Sequence, residues 1–292
     1  MQDSIGPFPV NAVTTGDSHG LIRRLPDESI DIVVTSPPYW GQRLSRGSGV
    51  EEDPRHYVSG LVAMFDSLLP KMKRSGLMWL NVGDAYNTPV NWAFDDMNYS
   101  TLGAAKNGLG AANSAYTKPR HKRRAFLDTQ TPWLAYGNLL ALPYRLVLGM
   151  SDGGWIFRGE VIWRKKNPMP EGRARRPHRQ HESIYLMARD EKHQFRISPP
   201  VGSVWEFGTD RLPGLKHFSR FPLELPRRCI DAYGKTGPDV VVFDPFAGSG
   251  STGIAAVGLG CSFIGFEIDP VQAEAANGRL REASAATPQG MG

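Results

Sequence analysis

Cysteine is scarce in this 292-residue chain. Its two thiols, Cys229 and Cys261, make no disulfide framework and stand in no C-x-x-C or comparable metal spacing. Long hydrophobic runs are also missing, because no apolar stretch approaches the ~20 residues that a membrane helix needs. The first residues, Met-Gln-Asp-Ser-Ile-Gly-Pro, carry neither the basic nor the apolar region of a signal peptide. There is no internal repeat. No G-x-x-x-x-G-K-[ST] occurs, which argues against a nucleoside triphosphate. His178, His181 and His193 lie near Glu182, but their spacing matches no helical ligand pair, so no metal is expected. These absences point to a reducing cytoplasm and no membrane partner.

What is present suits a soluble globular protein: 40% hydrophobic and 22% charged residues, enough length for one sizeable domain with an insert. A formal net charge of +5 is modestly basic and compatible with a polyanionic partner.

The apolar run Asp31-Ile32-Val33-Val34 reads as a buried parallel strand over 30–34, and Thr35-Ser36-Pro37-Pro38-Tyr39-Trp40 follows it. Two prolines end the strand, since neither offers a backbone N–H and each fixes its own φ. The result is a stiff tip carrying a hydroxyl, free carbonyls and two aromatic rings. In open α/β sheets the ligand crevice lies outside such strand ends. Taken alone, the same turn is equally a plain Pro-Pro loop. Upstream, a strand over 8–13 leads to Gly16-Asp17-Ser18 and a helix over 19–25. Asp17 is either a helix cap or a strand-end acceptor for a ligand's amino group.

Further along, a helix over 57–73 precedes a strand over 76–83 that ends at Asp84. From 87 to 131 the periodicity dissolves, and the insert carries Lys118, Arg120, Lys122, Arg123 and Arg124 without an intervening acid. Loops of more than ~12–15 residues without structure of their own tend to be functional or disordered. Clustered cations with interleaved aromatics favour phosphate contact over a merely solvated run. A helix over 134–150 follows. The strands 155–163 and 181–188 then form a hairpin whose long connection holds Lys165, Lys166, Arg173, Arg175, Arg176 and Arg179.

The strongest buried strand, 240–243, ends in Asp244-Pro245-Phe246-Ala247-Gly248-Ser249-Gly250-Ser251-Thr252. A helix over 254–259 and a strand over 262–266 follow, delivering Glu267. Strand, glycine turn, helix, strand and acid place a nucleoside at a sheet switch point, the acid bonding ribose hydroxyls. Asp244 ahead of the turn would repel a phosphate and attract an ammonium group. S-adenosylmethionine meets both requirements.

With both constellations in view, the chain resembles the amino-methylating DNA methyltransferases. Ser36-Pro37-Pro38-Tyr39 is similar to their [DNS]-P-P-[YFW] catalytic motif, and Phe246-Ala247-Gly248-Ser249-Gly250 to their F-x-G-x-G cofactor motif. The catalytic motif comes first, the permuted order of the β group. The resemblance covers about residues 14–280. It implies an α/β fold, the Rossmann-like seven-stranded methyltransferase sheet with one antiparallel strand, and a base flipped out of duplex DNA.

It further implies a single domain over 1–292, with a catalytic half at 8–86 and 132–200 and a target-recognition insert at 87–131. The cofactor half is 203–280 and a flexible tail 281–292. Cofactor contacts are implied for Asp17, Thr35, His217, Phe218, Asp244, Phe246, Ala247, Gly248, Ser249, Gly250, Thr252, Glu267 and Ile268. The Ser36 hydroxyl and the Pro37 carbonyl would accept from the target amine, and Tyr39 would stack on the extruded ring. Neither cysteine is placed as the nucleophile that C5-cytosine methylation requires.

Ser36 at the first motif position leans toward cytosine N4, with adenine N6 as the alternative. RNA or protein-glutamine methylation and a non-catalytic DNA-binding subunit are more distant readings. The partners implied are double-stranded DNA and a possible cognate restriction endonuclease. A prokaryotic or phage-encoded cytoplasmic protein, monomeric or homodimeric, is expected.

Overall fold

The structure, a computed structural model, describes residues 3–41, 48–88, 90–92, 121–123, 128, 130–168, 176–196, 198–208 and 222–286, with the backbone alone at 90–92 and 121–123. The chain divides into two compact units. One comprises 1–84, 141–213 and 217–292; the other comprises 85–140 and 214–216.

The larger unit is built on one sheet. Its elements are β1 (Ala12–Thr15), β2 (Ile30–Thr35), α1 (Pro54–Leu68), β3 (Met72–Asn81), α2 (Leu142–Asp152), β4 (Ile156–Lys165) and β5 (His181–Ala188). They continue with β6 (Val204–Phe207), α3 (Glu224–Asp231), β7 (Val241–Asp244), α4 (Ser251–Gly258), β8 (Ser262–Glu267) and α5 (Pro270–Ala286). The strand order is β6-β4-β5-β3-β2-β7-β8-β1. Only β5 runs against the others. The sheet has eight strands where the resemblance implies seven. The addition is the edge strand β6, which pairs Val204–Phe207 in parallel with Ile162–Lys165.

The centre of the sheet is β2, buried at every position. Ile32 and Val34 point into a core shared with Leu225, Ile230, Ala255, Ala256 and Leu280 of α3, α4 and α5. Side chains alternate across a strand. Val33 therefore faces the other way, and it too is completely buried. A parallel strand covered on both faces reads as a continuous β-branched run, which is why this stretch is legible.

Several helix boundaries differ from expectation. The first helix is only Ser18–Leu21, continued by a 3-10 turn over Ile22–Arg24. Helix α1 starts at Pro54, where Asp53 accepts from Arg55 N, and ends at Leu68 because Pro70 follows in a 3-10 turn. The helix expected over 134–150 begins only at Leu142. Gly137 and Ala141 adopt φ of 79° and 54°, values outside a right-handed helix. At its start Asp84 Oδ1 accepts from Leu142 N at 3.0 Å.

The smaller unit closes on its own ends: Leu140 N donates to the Ala85 carbonyl at 2.9 Å and Asn87 N to the Asn138 carbonyl at 2.8 Å. Its backbone includes a short antiparallel pair, Val90–Trp92 with His121–Arg123. The unit thus starts and ends outside the expected 87–131 limits.

Edge strand β1 is completed by a side chain. Asn277 of α5 accepts from Val13 N at 2.8 Å and donates to the Val13 carbonyl at 2.9 Å, standing in for a neighbouring strand. Removing both bonds in Asn277→Ala should cost roughly 2 kcal/mol, lowering the melting temperature by roughly 4–8 °C. Differential scanning calorimetry checks this, and an unchanged melting temperature would show the pair to be idle.

Candidate active site

Strand register gathers the chemistry at one edge. Val242 and Phe243 of β7 pair with Ile32 and Val33 of β2, so Asp244 and Thr35 finish side by side. Glu267 stands opposite Thr15, and Thr35 opposite Leu80, one residue before Asn81. From β2 the chain crosses to β3 on one side, and from β7 to β8 on the other. The gap between β2 and β7 is therefore a topological switch point, the place where open α/β sheets hold ligands.

Asp244 is a tightly held carboxylate. It is 1% exposed. Thr35 Oγ1 donates to its Oδ1 at 2.7 Å, and Thr252 Oγ1 to its Oδ2 at 2.7 Å. Phe246 N donates to Oδ1 at 3.0 Å. Burial pushes the carboxyl up to about 6, reinforced by Glu267, while these three hydrogen bonds pull the other way. Thr35 and Thr252, predicted as cofactor contacts, thus act on Asp244 itself.

The glycine turn follows directly. Gly248 and Gly250 have φ of 51° and 80°, a region glycine enters without strain. Glu267, 2% exposed, accepts from Gly248 N at 2.9 Å through Oε2 and from Asp269 N at 3.0 Å through Oε1. Each carboxylate oxygen keeps a further lone pair. Ala247 N is tied to the Phe266 carbonyl at 2.9 Å. Phe246, Ser249 and Ile268 are half-buried along the same turn and strand end. Helix α4 has Gly250 as its N-cap and no side-chain cap, and among the described residues the buried Ser251 hydroxyl has no hydrogen-bond partner. Asp17 caps the first helical turn by accepting from His19 N at 3.1 Å and is exposed. Its neighbour Ser18, a residue that sequence reasoning missed, donates to the Pro245 carbonyl and ties the two halves together.

The tip after β2 is held from below and from the side. Tyr57 of α1 donates to the Pro38 carbonyl at 3.0 Å. Among the described residues nothing donates to the Pro37 carbonyl. The Tyr39 ring lies against Gly83, where an added Cβ would sit 2.4 Å from Tyr39 Cε2, so only glycine fits there. Tyr39 donates to Glu182 Oε2 at 3.0 Å, and its phenol is raised well above the ordinary range by burial and then by Glu182.

The basic residues divide. Lys165 pairs with Glu182, and Arg179 donates to the Asp84 carbonyl at 2.8 Å. Lys166 and Arg176 are exposed. Lys118, Arg120, Arg124, Arg173, Arg175, His217 and Phe218 lie outside the described residues, as do the side chains of Lys122 and Arg123. Asn81, Glu182 and Tyr57 were not foreseen as site residues, because each reaches the tip through tertiary pairing that leaves no local motif. Among the described residues no His, Cys, Asp and Glu group has the makings of a metal site.

The raised Asp244 pKa has a signed consequence. A carboxyl whose folded pKa exceeds its unfolded value near 3.9 favours folding while protonated. That contribution falls as pH rises from about 4 to about 6 and is flat above. Its full size is roughly 3 kcal/mol, at about 1.4 kcal/mol per pKa unit. Urea unfolding at a series of pH values should show this slope in the native chain and not in Asp244→Asn. Equal slopes in the two proteins would contradict the burial argument.

The chain is similar to three bacterial proteins along most of its length. It is 32% identical over 284 residues to the type II methyltransferase M.XycI of Xanthomonas campestris pv. cyanopsidis, covering 91% of this chain and 86% of the relative. With M.Cfr9I of Citrobacter freundii, also a type II methyltransferase, it shares 30% over 295 residues, covering 94% and 90%. With M.SmaI of Serratia marcescens, of the same designation, it shares 32% over 285 residues, covering 92% and 90%. The fold matches PvuII DNA methyltransferase (cytosine-N4-specific) with a TM-score of 0.66 at 19% identity, covering 99% of this chain and 98% of that one. It also matches TTHA0409 of Thermus thermophilus, solved with S-adenosyl-L-methionine, with a TM-score of 0.61 at 22% identity over 96% and 95% of the chains. The DNA methylase family model (N6_N4_Mtase) spans residues 30–278. With the Ser-Pro-Pro-Tyr tip and the glycine turn meeting at one switch point inside that span, the chain belongs to the DNA methylase family.

Proposed function

We propose that this chain moves a methyl group from S-adenosylmethionine to the exocyclic amine of a flipped base in duplex DNA, with cytosine N4 favoured. The observation that carries this reading is the Thr35–Asp244 hydrogen bond at 2.7 Å, which sets the Ser36–Tyr39 tip beside the glycine turn. Type II relatives over nine-tenths of the chain support a restriction-modification role, with a cognate endonuclease as partner.

Three features fit the cofactor. Two buried carboxylates, Asp244 and Glu267, flank the turn and suit an ammonium group and a ribose diol better than a phosphate. The Ser251 hydroxyl is buried without a partner among the described residues. A Cβ at Gly248 would enter space open to 3.9 Å, leaving room for a ligand against the backbone. Phe246, Ala247, Ser249, Gly250 and Ile268 complete the cradle, and Asp17, His217 and Phe218 are proposed as further contacts. When bound, the cofactor supplies an electrophilic methyl group on a sulfonium sulfur.

The protein's part is positioning. An exocyclic amine is a weak nucleophile because its lone pair is delocalised into the ring. Hydrogen bonds from its N–H groups to the Ser36 hydroxyl and to the unoccupied acceptor of the Pro37 carbonyl draw that nitrogen toward sp³ character. Proline rigidity and the Tyr57 bond to Pro38 keep these acceptors in place. Tyr39 stacks on the extruded base. Ser36, not Asp or Asn, at the first position of the tip is what favours cytosine over adenine.

We further assign DNA backbone contacts to Lys118, Arg120, Lys122, Arg123 and Arg124 of the smaller unit. The hairpin connection adds Lys166, Arg173, Arg175 and Arg176, with Lys165 and Arg179 at its base.

Transfer of tritium from labelled S-adenosylmethionine, with duplex DNA, RNA and protein offered in competition, tests the reading. Label should appear in duplex DNA alone, and label in RNA or protein, or none at all, would overturn it. Ser36→Ala should lose roughly 10²-fold in turnover while cofactor affinity stays within about twofold. A matching loss of affinity would reassign Ser36 to the cofactor. Replacing Lys122, Arg123 and Arg124 together by alanine should reduce the slope of log affinity against log salt by about 2–3. An unchanged slope in fluorescence anisotropy titrations would mean these cations face solvent.

A further inference from the structure

One carboxylate at the catalytic edge belongs to neither motif. Glu182 sits near the start of β5, the strand that runs against the rest of the sheet. Reversal is what delivers it. The parallel strands end at the edge where the tip projects, and an antiparallel strand begins there. In register, Glu182 pairs with Trp163, two residues before Lys165, and Ile184 with Asn81, so both neighbouring strands bring a polar residue to the same corner.

Three groups converge on this carboxylate. Lys165 Nζ pairs with Oε1. Tyr39 donates to Oε2 at 3.0 Å, and Asn81 Nδ2 donates to the same oxygen at 3.2 Å. A phenol has one proton. The ionised carboxylate is the nearer and stronger acceptor for it than Asn81 Oδ1 at 3.3 Å. Asn81 is then oriented to donate to Glu182 and to the Ser183 carbonyl at 3.1 Å. A cross-strand ion pair alone would account for Lys165. It would not account for a tyrosine from the loop after β2 and an asparagine from β3 meeting on the opposite oxygen.

We propose that Glu182 is a positioning residue for methyl transfer, fixing Tyr39 by its hydroxyl and thereby the end of the Ser36–Tyr39 tip. The inference rests on the function proposed above. Tyr57 holds the tip at the Pro38 carbonyl and Gly83 packs against the Tyr39 ring, whereas the Glu182 bond holds that ring by its hydroxyl. Lys165, lying 4.9 Å from the centre of the Trp163 ring, holds the carboxylate in its turn. Orientation losses of this kind fall on the chemical step and not on binding.

The test uses the full-length protein, duplex DNA and single-turnover kinetics. Glu182→Ala should lower the transfer rate at least tenfold while the dissociation constants for S-adenosylmethionine and DNA stay within about threefold. Tyr39→Phe, which keeps the ring and loses the hydroxyl, should fall in the same range. The double variant should be no slower than the slower single variant, since both remove one interaction. Glu182→Gln keeps an oxygen acceptor for Tyr39 and should recover most of the lost rate.

Additive losses in the double variant, or an unchanged rate in Glu182→Ala, would overturn the proposal. So would equal defects in the Gln and Ala variants, which would make the Lys165 charge pair the operative contact. A variant that melts earlier and binds both ligands weakly would assign Glu182 to the fold alone. If the native chain itself labels no DNA, the methyltransferase reading fails. If the native chain is active and Glu182→Ala matches it, only the present inference fails.

Discussion

The hydrogen bonds around Asp244 are the interaction on which the rest of the site depends. Thr35 and Thr252 reach the carboxylate from β2 and α4, and residues 209 positions apart in the chain become neighbours at 2.7 Å. A buried carboxylate is costly unless its lone pairs are filled. Here the donors filling them are the last residue of the central strand, the first turn of a helix, and the amide of Phe246 in the glycine loop. Satisfying one charge therefore fixes the distance between the two motifs. Neither motif would have a partner without this junction, and their register follows from parallel pairing of β2 with β7.

A second consequence of topology is the single reversed strand. An all-parallel sheet would present only strand ends at the ligand edge. By running backwards, β5 places its beginning there, and with it Glu182 and the link to Lys165 on β4. Two halves with different chemistry result. The β7–β8 side holds buried carboxylates around a glycine turn, suited to a cationic nucleoside. The β2–β3–β5 side holds a rigid tip braced by a tyrosine, an asparagine and a glutamate, suited to aligning a weak nucleophile. Direct methyl transfer needs both and little else, because it requires no covalent intermediate with the protein.

Much of this was legible in the residues. Runs such as 30–34 and 240–243 are apolar because both faces of those strands are covered, and that continuity survives in sequence. Asp244, the glycine turn and Glu267 were also legible, since one strand, one turn and one further strand bring them together within a short stretch. Helix limits were less so. Pro54 starts one helix and Pro143 lies in the first turn of another, at points that apolar periodicity does not mark, and the φ of 54° at Ala141 ends an apparently continuous pattern. The bracing of Tyr39 was not legible at all. Asn81 and Gly83 meet it through the parallel pairing of β2 with β3, and Glu182 through the antiparallel pairing of β3 with β5, long-range choices that no local spacing records. Thr35 and Thr252, which look like ligand contacts, also donate to Asp244.

The central claim is that the tip activates an exocyclic amine and nothing else. It is tested most directly by digesting DNA treated with the protein and S-adenosylmethionine to nucleosides and identifying the modified one by mass spectrometry. The account expects N4-methylcytosine. N6-methyladenine would retain the amine chemistry and overturn the choice of base drawn from Ser36, whereas 5-methylcytosine, or no modified nucleoside, would contradict the account.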